Sequence, residues 1–121
     1  MQELGNQTIA QHVGGYGEKM AADWLWMKGF EIKERNWRAG RNEIDLVCKQ
    51  GKEWVFVEVK TRRGRTTLQP EVAVNYKKRK NLMTAANAYI EQYQCDGRFR
   101  LDIVAISFSP WGKQMMYFKG K

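Results

Sequence analysis

Residues 43–60, "EIDLVCKQGKEWVFVEVK", hold two alternating apolar runs on either side of Gly51-Lys52. A period of two marks strands, and a two-residue connection that begins with Gly suits a type II′ hairpin turn. Counting outward from that turn pairs Gln50 with Glu53, Cys48 with Val55 and Leu46 with Val57. Continued, the count sets Asp45 opposite Glu58 and Glu43 opposite Lys60. It gives Ile44, Leu46, Cys48, Val55, Val57 and Val59 one wholly apolar face, and sends Val47, Trp54, Phe56 and the four charged residues to the other. Directly opposed side chains lie about 4.5–5.5 Å apart at Cβ, and like charges so placed repel. Something cationic must compensate Asp45 and Glu58. One answer is a hard divalent ion such as Mg²⁺ or Mn²⁺, which takes oxygen ligands and keeps waters for substrate phosphates. Lys60, on the face of Glu58, would then hold or deprotonate an attacking water, or neutralise charge growing on phosphorus. The other answer is an ordinary ion network, with Lys60 on Glu43 and a nearby Arg on Asp45.

The remaining elements follow from periodicity and turn chemistry. Residues 17–28, "GEKMAADWLWMK", have the apolar spacing of a helix that ends before Gly29. Residues 30–38 alternate weakly and read as an edge strand, ahead of strands over 42–49 and 53–61. Pro70 is a helix-start signal after the loop "RRGRTTLQ", and a helix over 75–93 buries Leu82, Ala85, Ala86, Tyr89 and Ile90. Asp96-Gly97 ends that region, residues 98–108 form another strand, and "KQMMYFK" forms the last. The order αβββαββ predicts an α/β fold, a mixed sheet flanked by helices. Residues 1–13 are polar and are expected to be a loosely held segment ahead of a single domain over 14–121.

Composition narrows the partner. Of 121 residues, 43% are hydrophobic, which supports one packed core, and the formal net charge is +8. The positive charge gathers in "KTRRGR" at 60–65, "YKKRK" at 76–80, and Arg98 with Arg100. Such a field attracts polyanions and makes binding salt-sensitive, with nucleic acid favoured over an anionic membrane surface. No apolar run has the length of a membrane span, and the first thirty residues lack a basic-then-apolar leader pattern, so a cytoplasmic protein is the expectation. A single His, His12, argues against a Cys/His zinc site and against a His general base. Cys48 is expected to be a small buried hydrophobe. Among the five Trp, Trp24 and Trp54 fit the core, and Trp37 and Trp111 stand where a base could stack, with core packing the favoured reading for them as well.

The sequences "NEIDLV" and "FVEVKTR" resemble the core of the PD-(D/E)xK nuclease superfamily, whose restriction-endonuclease-like fold has an αβββαβ core. With "GYGEKMAADWLWMKGF", "LMTAANAYI" and "RLDIVAI", the chain resembles the YraN-like family of predicted endonucleases from about Gly14 to Phe108, and it is similar to archaeal Holliday-junction resolvases. The superfamily's proline before the first Asp is absent; Ile44 stands there. The resemblance implies a Mg²⁺- or Mn²⁺-dependent nuclease with Asp45 and Glu58 as metal ligands and Lys60 as the catalytic lysine. It also implies that Glu18 is the helix-borne carboxylate completing the site, and by analogy with the resolvases it implies branched DNA substrates and a homodimer. Glu18 shares a helical stripe with Ala21, Ala22 and Leu25, which aims it at the sheet, although an acid in a helix's first turn needs no metal. Lys77 and Lys80, one face of the second helix, read as phosphate contacts or as a solvated helix start, and Arg62, Arg63 and Arg65 would line the same groove. Three readings stay open: a nuclease, a nucleic-acid-binding module that does not cut, and a basic protein-interaction domain.

Overall fold

The computed structural model describes residues 9–63 and 76–120, and for residues 9–14, 63 and 76 the backbone alone. In chain order the elements are α1 (Ile9–Met27), β1 (Glu31–Ala39), β2 (Asn42–Gln50), β3 (Glu53–Arg63), α2 (Tyr76–Tyr93), β4 (Arg98–Ser109) and β5 (Gly112–Phe118). The strands form one sheet in the order β1-β2-β3-β4-β5. All neighbours are antiparallel except β3 and β4, which α2 connects as a parallel pair. This is the expected αβββαββ order and the expected mixed sheet.

The two helices cover opposite faces. Ala21, Ala22 and Leu25 of α1 pack with Leu46, Cys48, Val55, Val57, Val104 and Ile106. Leu82, Ala85, Ala86 and Tyr89 of α2 pack with Ile44, Val47 and Phe56. Alternation along the strands supplies an apolar residue to each layer in turn, which is why the central strands are apolar nearly throughout. Both helices end in the same way. Gly29, at φ +94, donates its N–H to Trp26 while Phe30 donates to Leu25 at 3.0 Å, a Schellman cap. Gln94, at φ +51, does the same for α2, with Cys95 donating to Ile90 at 3.0 Å. At its other end α1 begins at Ile9, eight residues before the predicted Gly17 and inside the stretch expected to be loosely held. The helix runs through Gly14 and Gly15, whose weak propensity is overridden here.

The hairpin register is the predicted one from Gln50↔Glu53 to Leu46↔Val57. Gly51 takes φ +61 and Lys52 no positive φ, the backbone pattern of the II′ turn. Both cysteines are free, and Cys48 is fully buried.

Gly17 sets how closely α1 approaches the sheet. A Cβ there would collide with Cγ2 of Thr61 on β3 and touch Ile106 on β4. Thr61 is β-branched and has little freedom to turn aside. Gly17→Ala is therefore expected to lower stability by about 1–3 kcal/mol, read as a reduced Tm, because the helix must lift off β3.

One predicted surface charge lies inside. Arg100 is 5% exposed and Asp102 is fully buried, so Arg100 is no part of a basic patch. Its Nε bonds both Asp102 oxygens at 3.0 and 3.1 Å, and one terminal nitrogen reaches Glu53 at 2.5 Å. The other reaches the Tyr117 hydroxyl at 3.2 Å, and that hydroxyl donates to Asp102. Asp102 also accepts the Gly120 amide at 2.8 Å, which ties the chain beyond β5 to β4. Arg100 and Asp102 are two apart on one strand, so they share the α1 face and neutralise each other there.

Candidate active site

The ladder between β2 and β3 stops at Leu46↔Val57. The pairs Asp45–Glu58 and Glu43–Lys60, expected from continued counting, do not form. Instead the Val59 amide donates to Oδ2 of Asp45 at 2.7 Å, so a side chain takes the place of a ladder bond and the strands part. Ile44 corrects a second expectation. It lies in the α2 layer with Val47, whereas Leu46 and Cys48 lie in the α1 layer. Alternation therefore breaks between Ile44 and Leu46, and Asp45 sits at the break.

Three further carboxylates surround that position. Val57 and Val59 pack toward α1, so alternation sends Glu58 and Lys60 to the opposite side of β3, on a common face as predicted. Glu18 approaches from α1 and is half-buried. It sits mid-helix in a helix without an acidic first turn, which removes the helix-dipole account of its place. Glu43 pairs with Arg38, its cross-strand partner, at 3.2 Å. Among the described residues Lys60 is not paired with Glu43, and Asp45 takes the Val59 amide and no Arg.

The electrostatics follow from this crowding. Asp45 is pushed up to about 7 by burial, against the Val59 amide, and the charges of Glu18, Glu43 and Glu58 add to the effect. Glu18 also lies above the ordinary carboxylate range because of burial, with Glu43 adding to the rise and Asn36 and Arg35 opposing it. Lys60, half-buried, forms no ion pair with any described residue. Among the described residues, no three His, Cys, Asp or Glu side chains form a ready-made metal cluster. The donor set still fits a hard cation. It is all oxygen, it repels itself, and among the described residues Asp45 has no ion-pair partner.

The basic candidates are placed less closely. Lys77 and Lys80 are exposed at the start of α2, and no described contact joins them to the carboxylates. Their neighbour Arg79 lines a groove with Met83, Phe99 and Leu101, so this turn overhangs β4. Arg62 is half-buried on β3; the Arg63 side chain and the whole of Arg65 lie outside the described residues. Exposed Arg35 and Arg41, which sequence reading left out, belong to the β1–β2 hairpin beside Asp45. Trp37 is not free to stack on a base, because it meets the Tyr89 ring edge-on at 5.1 Å, whereas Trp111 is 74% exposed.

A mixed five-stranded sheet between two helices, split between its second and third strands around carboxylates, is a restriction-endonuclease-like core. Residues 17–106 match the profile of the uncharacterised protein family UPF0102. The chain belongs to that family, the YraN-like group of the restriction-endonuclease-like superfamily. A UPF0102 protein of Lawsonia intracellularis is 39% identical over 108 residues, covering 88% of this chain and 82% of the relative. One from Bacteroides thetaiotaomicron is 41% identical over 100 residues, covering 81% and 83%. One from Thermodesulfovibrio yellowstonii is 39% identical over 95 residues, covering 78% and 85%. Among the described residues, no helix is long and apolar enough to cross a membrane.

Proposed function

We propose that this chain is a metal-dependent nuclease that hydrolyses phosphodiester bonds in DNA, branched or recombination intermediates included. One observation carries the reading. Asp45 is a largely buried carboxylate held near 7 among three other acids, at a strand split, with a backbone amide as its only described hydrogen-bond donor. A fold gains nothing in stability from such a group, and perturbed acids of this kind cluster at reaction sites.

Asp45 and Glu58 would hold Mg²⁺ or Mn²⁺, with Glu18 completing the set from α1. When bound, the ion supplies Lewis-acid polarisation of a phosphoryl oxygen and a more acidic water. The chain's own contribution is positioning and charge. The Val59 amide fixes one oxygen of Asp45 and leaves the other to a ligand. Lys60 extends from the face of Glu58 and, unpaired with any described residue, is available to hold the attacking water or the charge growing on phosphorus. Lys77, Lys80, Arg62, Arg63 and Arg65 are the proposed phosphate contacts.

A second reading, a DNA-binding module on the same fold that does not cut, draws support from the lack of a ready-made three-ligand cluster among the described residues. A cleavage screen over duplex, single-stranded, flap and four-way DNA with Mg²⁺ and Mn²⁺ separates the two. Metal-dependent products that vanish in Glu58→Gln support the nuclease; salt-sensitive binding without products supports the module. In either case DNA affinity should fall with salt, and Lys77→Ala with Lys80→Ala should flatten the slope of log affinity against log salt by about two units, equally on all sequences. An unchanged slope would move the footprint to the β1–β2 hairpin or to residues 62–65.

A further inference from the structure

The β4–β5 hairpin closes on the pair Ser109↔Gly112, with Pro110 and Trp111 as its turn. Pro110 has a restricted φ. The Ser109 hydroxyl accepts the Trp111 amide and donates to the Gly112 carbonyl, both at 3.3 Å. The turn is held from within, and Trp111 on it is 74% exposed. Turns ordinarily use Gly, Asn, Asp or Ser at such positions, and an indole left in water adds little to the fold. Two neighbours share this end of the molecule. Tyr16 of α1, itself exposed, has its ring 5.8 Å from that of Phe108 at the end of β4. Lys113 donates to the Tyr16 hydroxyl at 3.0 Å and has no carboxylate partner among the described residues. Residues 103–121 contain no acid at all, which suits a polyanion.

The register sets this hairpin at the end of the sheet toward which the site opens. β3 and β4 are parallel, with Lys60 beside Ala105 and Arg62 beside Ser107, so both strands run from the site toward the turn. From Ala105 to Ser109 the strand rises about 13 Å. That is about four nucleotides at the spacing of a stacked strand, and fewer in an extended one. Trp26 is exposed too, but it stands about 15 Å beyond Tyr16 along α1, toward the other end of the sheet. We infer that Trp111 is a stacking platform for an unpaired DNA base a few nucleotides from the cleaved bond, with Lys113 on the adjoining phosphate. An aromatic side chain takes any base that offers a free face. Inside a continuous duplex both faces of each base are covered, so the platform selects single strands, flaps and junction arms. The inference rests on the proposed nuclease reading and names its substrate class: DNA with an unpaired stretch beside the bond that is cut.

The test reads binding apart from cleavage. Fluorescence anisotropy without metal follows three labelled probes: a single-stranded oligonucleotide, a duplex with a single-stranded flap, and a blunt duplex. Trp111→Ala is expected to weaken binding of the single strand and the flap about tenfold and to leave the blunt duplex nearly unchanged. Trp111→Phe should recover most of the loss, because a ring face remains, whereas Trp111→Leu, apolar without one, should lose as much as Ala. Salt tells the two contacts apart. Trp111→Ala should keep the wild-type slope of log affinity against log salt, and Lys113→Ala should flatten it on the single strand by about 0.7. Wild-type affinity of Trp111→Ala for the single strand, an equal loss on all three probes, or full recovery by Leu would overturn the inference. If wild type cuts DNA while Trp111→Ala binds every probe normally, the nuclease reading stands and the platform falls. If the preference for unpaired DNA follows the ring at 111 and nothing is cut with Mg²⁺ or Mn²⁺, the platform stands and the nuclease reading falls. A wild type that binds none of the probes overturns both.

Discussion

Asp45→Asn is expected to abolish metal binding and to reduce cleavage on the order of 10³-fold or more, while making the metal-free protein more stable. The two effects have one origin. With its carboxyl held near 7 rather than 3.8, the folded chain binds this proton more tightly than the unfolded chain does. Above pH 7 the ionised group opposes folding by up to about 4 kcal/mol, at roughly 1.4 kcal/mol per tenfold change. As pH falls from about 8 through 7 toward 4 that penalty disappears, so Asp45 makes wild type more stable on acidification. Below about 4, where both states are protonated, its contribution is level. Asn is neutral throughout and its side-chain oxygen still accepts the Val59 amide. The variant's advantage over wild type should therefore be largest at pH 8 and vanish by about pH 4. Added Mg²⁺ or Mn²⁺ should reverse the order at pH 8, because mass action on the folded state stabilises wild type alone. Denaturant melts of both proteins over this pH range, with and without millimolar metal, give every quantity required. A wild type that gains nothing from either metal, beside a variant that is less stable at pH 8, would make the acids an ordinary structural cluster.

Lys60→Ala is expected to part binding from chemistry. Lys60 is on the face of Glu58, and no described carboxylate is paired with it. Its removal should leave metal-induced stabilisation close to that of wild type and lower kcat by about 10²–10³-fold with little change in KM, the pattern of a group that acts in the transition state. Loss of metal binding in the same variant would show instead that Lys60 organises the acids. Lys60→Arg should not restore the rate, since a planar guanidinium cannot replace a compact ammonium at a single oxygen.

How far the sequence could be read depended on which force controlled each stretch. On this stretch of β2 Cys48 and Leu46 are buried against α1, and counting by two from the turn was enough to give the register. Counting failed at Asp45 because β1 and β2 reverse together: neither strand's register slips there, and a reversal in one strand is matched in the other. Ile44, Leu46, Val47 and Cys48 are all apolar, so hydropathy alone does not show that Ile44 and Leu46, two apart, face different layers. Asp45, Glu58, Lys60 and Glu18 were legible as residue types and through family resemblance. The left-handed backbone at Asn36 was not, because periodicity does not report a backbone angle. Composition counts Arg100 with the surface charge, but Arg100 and Asp102 stand two apart in a strand, the spacing at which a buried pair can form.

Asp102 serves as an internal control for Asp45. Both are aspartates in the strands of one sheet, and Asp102 is the more deeply enclosed, with no exposed surface at all. Around it the chain supplies a guanidinium on both oxygens, a phenol and a terminal-segment amide. The same sheet thus has the means to quiet an enclosed acid completely, and at Asp45 the described residues provide a single amide and three more acids. The contrast makes the two positions a matched pair for experiment. Neutralising Asp102 should leave the buried Arg100 with Glu53 as its one described carboxylate partner and weaken the fold, whereas neutralising Asp45 should relieve it; one substitution chemistry, with opposite signs at two addresses, tells a framework acid from a working one.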